Sequence, residues 1–191
     1  MIRVLAILCA LVCVSPALAQ MNAPVKLPPG LDPQNTILLD TKNGRIVIKL
    51  RNDLAPKHAE RIKQLTREGF YNNVPFHRVI PGFMAQTGDG QNGDGSGGSK
   101  YGTLQAEFSA VPFTRGIVGA ARRGDSINTA NSQFFIMFGE NSGLNGQYTV
   151  VGQVVSGMDV VDKIKKGAEA QNGAVTDPDK IVKIQVAADA K

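Results

Sequence analysis

An arginine stands among apolar residues in the segment Phe76–Ile80. In a β-strand alternate side chains share a face, so Arg78 would lie on the same face as Phe76 and Ile80. A guanidinium held beside apolar side chains can donate several hydrogen bonds in a fixed geometry to a bound ligand. A surface arginine whose aliphatic stem covers apolar neighbours explains the same pattern, and the segment alone leaves both interpretations open.

A second segment, Ser132–Phe138, shows the same pattern with a glutamine. In a strand, Gln133 would share a face with Phe135 and Met137, and both faces of the segment are largely apolar. One face can fill the interior of a barrel. The other face then needs a second cover or remains an apolar surface patch, and such patches often bind a ligand. Phe135 and Met137 are equally well explained as plain core residues.

A glycine-rich stretch, residues 88–103, contains two motifs that are typical of phosphate and calcium loops. Gly88–Gly93 fits the pattern G-x-G-x-x-G, but no helix start follows it, and Asp89 and Asp94 would repel phosphate. As a calcium loop, the stretch has Lys100 where the closing glutamate should stand. We therefore predict a long loop that binds neither phosphate nor a metal.

The two histidines complete no catalytic or metal site. His58 falls on a predicted helix, where a surface position is the ordinary expectation. His77 has no cysteine partner and no obvious serine–aspartate pair, which gives a hydrolytic triad little support. Two histidines and two cysteines in the whole chain leave little for a zinc or iron–sulfur site. The sequence therefore predicts no metal and no cofactor.

The first nineteen residues have the layout of a secretory signal peptide. A positive charge at Arg3 precedes the apolar run Val4–Val14, and small residues follow before Gln20. The run is too short to cross a bilayer. We predict that residues 1–19 are cleaved before Gln20 and that the mature protein is periplasmic or secreted. Both cysteines lie in this segment, so the mature chain would contain none, as suits an oxidising compartment.

The remaining chain predicts one folded domain behind a short leader. Residues 20–35 contain four prolines and predict an extended leader without a core of its own. The length suits a single domain over residues 36–191. The net charge of the full chain is +5, but the basic residues are scattered and seldom alternate with aromatic residues, which argues against nucleic-acid binding. No later stretch could cross a membrane, so we expect no membrane attachment in the mature form.

Short apolar segments separated by turn residues predict a mainly β protein. Residues 36–40 and 45–50 predict two strands joined by a hairpin at Asn43–Gly44. Residues 56–68 predict a helix that ends before Gly69. Further strands are predicted at 76–80, 83–87, 116–121, 132–138, 148–155 and 181–187, and a second helix at 158–166. Seven or eight strands without βαβ alternation indicate an antiparallel sheet, and a closed barrel would leave no free edges.

Three blocks of the sequence resemble the signature motifs of the cyclophilins. They are FHRVIPGFMAQTGD at 76–89, NSQFFI at 131–136, and LNGQYTVVG at 144–152 followed by GMDVVD at 157–162. The blocks occur in the order found in that family, and the similarity extends from about Thr36 to Val186. Together with the predicted signal peptide, the chain is similar to the periplasmic cyclophilins of Gram-negative bacteria, which are peptidyl-prolyl cis–trans isomerases.

The resemblance implies a closed eight-stranded antiparallel barrel capped by two α-helices, with a substrate groove on its outside. It implies that Arg78 is the catalytic residue. The implied substrate-binding residues are Phe83, Met84, Phe135 and Leu144 around the proline ring, Gln86 and Gln133 on the substrate backbone, Ala121 and Arg122 through their main chain, Gly95 at the far rim, and Tyr148, which replaces a histidine.

The implied activity is acceleration of rotation about Xaa–Pro bonds during the folding of exported proteins, without a cofactor. The implied partners are proline-containing unfolded or partly folded polypeptides, and we expect a monomer that binds no nucleic acid. A noncatalytic proline-peptide binding or chaperone module is the alternative.

Gly143 stands where many eukaryotic members have the tryptophan that binds cyclosporin, so weak cyclosporin binding at most is expected. The loop 123–131 is one residue longer than the bacterial pattern.

Overall fold

A computed structural model describes residues 27–190. The predicted signal peptide, its cut before Gln20 and the first part of the predicted leader lie outside these residues. In the part of the chain that is described, no helix is long and apolar enough to cross a membrane.

The described part of the predicted leader contacts the folded domain. Leu27 and Leu31 are partly buried against the cluster that Leu38 and Ala187 form with Val47. A 3₁₀ turn follows at residues 33–35, where the side chain of the preceding aspartate accepts a backbone hydrogen bond. These residues therefore belong to the packed structure, while the boundaries predicted for the leader and the domain stay predictions.

Eight antiparallel strands form one curled sheet. They are β1 (Thr36–Thr41), β2 (Gly44–Leu50), β3 (Arg78–Ile80), β4 (Met84–Thr87), β5 (Ile117–Ala120), β6 (Phe134–Met137), β7 (Val150–Ser156) and β8 (Lys183–Val186). Their order in the sheet is β3-β4-β6-β5-β7-β2-β1-β8. Each overlaps a predicted strand, and β1 and β2 form the predicted hairpin. The prediction of a mainly β, antiparallel fold is confirmed.

The predicted closure of the barrel is wrong, because β3 and β8 at the two ends of the sheet do not pair as strands. Two isolated bridges, Pro75–Lys180 and Arg78–Ala174, join the chain near these ends. Pro75 has no N–H to donate to a continuous ladder. Asn172 and Asp177 on the opposite segment have positive φ angles of 53° and 49°, which extended strands do not have. The sheet is therefore an open, curled half-barrel.

Two α-helices accompany the sheet within residues 27–190. Helix α1 (Pro56–Arg67) buries Ala59, Ile62 and Leu65 against the sheet, and Gly69 follows it with the positive φ of 70° that ends a helix. This agrees with the predicted helix. Helix α2 (Met158–Asp162) is shorter than predicted.

The expectation that His58 lies on the surface is wrong, because its side chain is only 4% exposed. Its Nδ1 lies 2.6 Å from Oε2 of Glu107, whose carboxylate also accepts the backbone N–H groups of Lys57 and His58, each at 3.1 Å. Ala55 at the N-cap of α1 has no capping side chain. Glu107 therefore supplies the acceptor that the first turn of a helix requires, from a loop 49 residues away.

Both faces of the sheet are covered over β4, β5 and β6, as the apolar pattern of residues 132–138 predicts. The inner face includes Phe134 and Ile136, within the main core. The outer face has a smaller cluster that includes Phe135 and Met137. Phe76 lies in the main core instead of beside Arg78, because β3 begins only at Arg78 and the alternation does not extend back to residue 76.

Candidate functional site

The register of four neighbouring strands aligns the polar and aromatic side chains of the outer face. Arg78 on β3 lies opposite Gln86 on β4, and Gln86 lies opposite Phe135 on β6. Phe135 in turn lies opposite Gly119 on β5. A Cβ atom at Gly119 would come within 2.7 Å of the Phe113 ring and closer still to the Phe135 ring. Glycine at this position therefore gives the Phe135 ring the room that it occupies.

A cavity of about 150 Å³ opens on this face. It is lined by nine of the predicted site residues, namely Arg78, Phe83, Met84, Gln86, Ala121, Arg122, Phe135, Leu144 and Tyr148. One water molecule needs about 10–15 Å³ of space measured in this way, so a cavity about ten times that size has room for a five-membered ring. The structure thus brings most of the predicted site together at one cavity, whose wall combines aromatic and aliphatic side chains with a guanidinium.

The other two predicted residues, Gly95 and Gln133, line an adjoining cavity of about 440 Å³. This second cavity is bordered mainly by the glycine-rich loop and by residues 121–123. The two cavities share Gln86, Ala121 and Arg122, so they form one groove across the outer face. A ligand that fills the smaller cavity therefore has space for neighbouring groups in the larger one.

Aromatic contacts fix the floor and one wall of the smaller cavity. The Phe135 ring lies 5.8 Å from both the Phe113 and the Tyr148 ring centroids, stacked on the first and edge-on to the second. The Arg122 guanidinium carbon lies 4.4 Å from the Tyr148 centroid, within range of a cation–π contact. Phe113 is fully buried and was not predicted, because it lies outside the strands and no periodic pattern marks it.

Three hydrogen bonds hold the guanidinium of Arg78. Its Nη1 donates to Gln86 Oε1 at 3.1 Å, its Nε to the Asn172 carbonyl at 3.0 Å and its Nη2 to Asn172 Oδ1 at 2.9 Å. Burial lowers the pKa of Arg78 from its ordinary value, but guanidinium groups remain charged in proteins. Asn172 was not predicted as a site residue, although the dipeptide Asn172–Gly173 is a recognisable turn signal.

A chain of amide hydrogen bonds fixes the orientation of Gln86. Nε2 of Gln133 donates to the carbonyls of Gly95 and Gly97, at 2.9 and 2.8 Å. Oε1 of Gln133 is then the acceptor for Nε2 of Gln86, at 2.9 Å. This leaves Oε1 of Gln86 to face Arg78. The two glutamines therefore present an acceptor to the guanidinium.

The family model of the cyclophilin-type peptidyl-prolyl cis–trans isomerases matches residues 36–186. The chain belongs to that family. A probable peptidyl-prolyl cis–trans isomerase of Brucella suis is 61% identical over 170 residues, which cover 84% of this chain and 86% of the relative. A peptidyl-prolyl cis–trans isomerase-like protein of Aspergillus fumigatus is 36% identical over 154 residues, 78% of this chain and 94% of that protein. The chain is thus an enzyme of this class.

Two solved cyclophilin structures have the same fold. A cyclophilin from Hirschia baltica superposes with a TM-score of 0.74 at 26% identity and covers 84% of this chain and 77% of its own. A cyclophilin-type isomerase from Cryptosporidium parvum, solved in the presence of the dipeptide Ala-Pro, superposes with a TM-score of 0.71 at 28% identity. That match covers 79% of this chain and 98% of the other.

The glycine-rich loop of this cyclophilin is organised by its own aspartate. The buried carboxylate of Asp89 accepts the backbone N–H groups of Gln91, Asn92, Gly95 and Gly97 at 2.9 to 3.1 Å. Burial alone would raise the pKa of Asp89, but these backbone donors outweigh it and hold the pKa at about 2. An internal anion therefore occupies the backbone donors that a phosphate loop would offer to its ligand.

His77 packs beneath the same loop of the isomerase. A Cβ atom at Gly95 would lie 2.8 Å from its Nε2, and Gly95 has a positive φ of 95°. Burial lowers the pKa of His77, although Asp89 and Asp94 partly oppose this. The imidazole is therefore neutral at neutral pH and packs against the glycine-rich loop.

Proposed function

We propose that this isomerase accelerates rotation about Xaa–Pro bonds with Arg78 as its catalytic residue. The observation that supports this proposal is the position of the Arg78 guanidinium, hydrogen-bonded in place beside the apolar side chains of a cavity that has room for a five-membered ring. The remaining predicted site residues bind the substrate and orient it against the guanidinium and the cavity.

The chemistry needs no bond to the enzyme. A prolyl amide interconverts between cis and trans over a barrier of about 18–20 kcal/mol, because rotation interrupts amide resonance. In the twisted transition state the proline nitrogen regains a lone pair and becomes a hydrogen-bond acceptor. A group that donates to the twisted amide but not to the planar amide lowers this barrier. A nucleophile, a metal ion or a redox group has no required role in this reaction.

Arg78 is the donor in this proposal. Two of its five N–H bonds remain after the three hydrogen bonds to Gln86 and Asn172. These can donate to the carbonyl of the substrate proline and approach the proline nitrogen as resonance is lost. A hydrogen bond to a charged group contributes about 1.5–3 kcal/mol, which corresponds to about one to two powers of ten in rate.

The apolar side chains around the cavity hold the proline ring. Phe135 forms its floor, and Phe83, Met84 and Leu144 contribute the remaining apolar surface. Apolar area removed from water stabilises binding by about 25 cal/mol per Å². The ring is thereby fixed while the acyl side of the bond turns.

The second cavity takes the substrate backbone in this proposal. Gln86, Gln133 and Gly95 border it together with the main chain of Ala121 and Arg122. Backbone and amide groups of this kind pair with any peptide, irrespective of its side chains. The enzyme would therefore accept many proline-containing unfolded or partly folded polypeptides, and we propose that it acts on them as a monomer.

The test is a protease-coupled isomerase assay on an Ala-Pro peptide. The wild-type protein is expected to accelerate isomerisation, and Arg78→Ala is expected to lower kcat/KM by about one to two powers of ten or more with an unchanged circular dichroism spectrum. Arg78→Lys should also lose activity, since an ammonium lacks the planar fork. Peptide binding without turnover by the wild type would instead support a noncatalytic binding module. An Arg78→Ala variant as active as the wild type would rule out the proposed role of the arginine.

We also propose that the enzyme works in the periplasm or outside the cell, on exported proteins. The support is the signal-peptide layout of residues 1–19 and the placement of both cysteines within it. Expression of the full chain in a Gram-negative host, followed by fractionation and N-terminal sequencing, tests this. A periplasmic product that begins at Gln20 is expected, whereas a cytoplasmic product that retains Met1 would contradict the proposal.

Cyclosporin binding is expected to be weak. Gly143 has no side chain to replace the tryptophan indole that many eukaryotic members use, and it lies exposed in a 3₁₀ turn next to Leu144, which lines the cavity. Titration of the protein with cyclosporin, read out by inhibition of the same assay, measures this affinity.

A further inference from the structure

Asn172 lies in a turn that is fastened to the strand carrying Arg78. It follows a 3₁₀ turn at residues 169–171 and has a positive φ of 53°. Val79, next to Arg78 on β3, donates its N–H to the Gly173 carbonyl at 2.8 Å and accepts the N–H of Gly167 at 2.9 Å. A Cβ atom at Gly173 would overlap the Ile80 side chain. The backbone of the turn is therefore held against β3 on both sides of Asn172.

This turn occupies one whole edge of the Arg78 guanidinium. The edge formed by Nε and Nη2 donates to two acceptors of the same residue, the carbonyl and the Oδ1 atom of Asn172. Gln86 accepts from Nη1 on the other side. A planar group fixed at three of its five N–H bonds has its remaining two directed by geometry. The guanidinium is therefore oriented before a substrate arrives.

We propose that Asn172 is a positioning residue for the isomerase reaction. It holds the guanidinium of Arg78 in the orientation that the reaction requires. This inference rests on the proposed catalytic role of Arg78. An arginine side chain has several rotatable bonds, and holding it in the productive orientation in advance lowers the cost of reaching the transition state.

The surroundings of the side chain favour positioning over a general structural role. Asn172 is exposed, and its Oδ1 atom has Arg78 as its only hydrogen-bond partner within residues 27–190. It borders a cavity of about 270 Å³ that also reaches His77 and Asp94 and that shares only Arg78 and Gln86 with the cavity around Phe135. Removal of the side chain therefore takes away one bond to the guanidinium and leaves the backbone contacts of the turn in place.

The deciding variant is Asn172→Gly, which keeps a residue that adopts positive φ and removes the Oδ1 acceptor. The matched control is Asn73→Gly, because Asn73 is also exposed with a positive φ of 63° but lies outside the groove. We expect Asn172→Gly to lower kcat about three- to tenfold with less than a twofold change in KM. Asn73→Gly is expected to retain full activity.

The same substitution in an Arg78→Lys background separates positioning from structural damage. A lysine has no Nε–Nη2 edge, so Asn172→Gly should cause no further loss of activity there. An equal loss in both backgrounds, or unchanged kcat in Asn172→Gly beside an active wild type, would overturn the inference. A wild type without activity would instead remove the proposed function itself, so the two failures are distinguishable.

Nitrogen-15 NMR of the Arg78 side chain gives a readout that does not depend on turnover. Rotation about the Nε–Cζ bond should be slow in the wild type, in Asn73→Gly and in Asn172→Asp, which keeps the Oδ1 acceptor. It should be faster in Asn172→Gly. Equal rotation rates in Asn172→Gly and the wild type would show that Asn172 does not hold the Arg78 guanidinium in place.

Discussion

Arg78 combines a permanent charge with an apolar neighbourhood. Burial opposes the charged form of the side chain, but Gln86 and Asn172 provide three hydrogen-bond acceptors without adding a negative charge. A carboxylate in their place would neutralise the field that the guanidinium directs at a substrate. Neutral acceptors therefore hold the arginine and leave its charge available to the reaction.

Gly119 is the residue at which the site tolerates a side chain least. The Cβ atom of Gly119→Ala would overlap the rings of Phe135 and Phe113, so we expect about 1–3 kcal/mol of destabilisation. A displaced Phe135 ring would also enter the apolar cavity and raise KM. Urea denaturation and steady-state kinetics measure both effects.

The control for this substitution is Gly124→Ala, where a new Cβ atom would have no neighbour within 4 Å. Its stability and KM should match those of the wild type. An equal stability of Gly119→Ala and Gly124→Ala would show that the two rings can move aside without cost.

At the scale of single elements, sequence patterns predicted which residues of a strand or helix are buried. They did not predict the contacts between segments that are far apart in the chain. The alternation in residues 132–138 correctly predicted two apolar faces, and the periodicity of residues 56–68 predicted the buried stripe of α1. Glu107 and Asn172 were missed because each acts on a partner far away in the chain. No periodicity within a segment records such a pairing.

The glycine-rich loop depends on a single carboxylate, so we expect Asp89→Asn to destabilise the protein at pH 7. The folded-state pKa of about 2 lies below the ordinary 3.8, and a difference of this size corresponds to about 2 kcal/mol. Because the folded pKa is the lower one, this stabilisation is present above about pH 4 and is lost as the pH falls toward 2. Urea denaturation across this range should show the stabilities of the wild type and Asp89→Asn converging.

The matched control is Asp125→Asn, on an exposed aspartate in a surface loop. Its stability should follow that of the wild type at every pH. If the difference in the free energy of unfolding between Asp89→Asn and the wild type stays constant from pH 7 to pH 2, the ionisation of Asp89 does not stabilise the protein. The loss would then come from changes in shape and hydrogen bonding.

At the scale of the whole molecule, the predicted architecture was correct in its strands and helices and wrong in its closure. Individual strands follow from local apolar patterns, but the closure depends on whether the two edge strands of the sheet can form a continuous ladder. Pro75 and the positive φ angles of Asn172 and Asp177 interrupt it. The interruption places Asn172 beside Arg78, so the irregular seam of the half-barrel also supplies part of the candidate site.

The two histidines contribute to the response of the whole fold to mild acid. Burial lowers the pKa of both imidazoles below the ordinary 6.5, while Glu107 partly opposes this at His58 and Asp89 does so at His77. Positive charge on Arg61 near His58 and on Arg78 near His77 adds to the lowering. The unfolded chain therefore binds protons at a higher pH than the folded chain does. Stability must then fall as the pH decreases below about 6.5.

We therefore expect a lower free energy of unfolding at pH 5.5 than at pH 7.5, well above the range in which Asp89 titrates. Two imidazoles limit the slope to about 2.7 kcal/mol per pH unit. Urea denaturation at both values, with NMR titration of each imidazole, measures the effect. In Glu107→Gln the partner that raises the pKa of His58 loses its charge, so that pKa should fall further. A free energy of unfolding that is equal at the two pH values would mean that both histidines titrate alike in the folded and unfolded chain, and that their burial leaves the proton equilibrium unchanged.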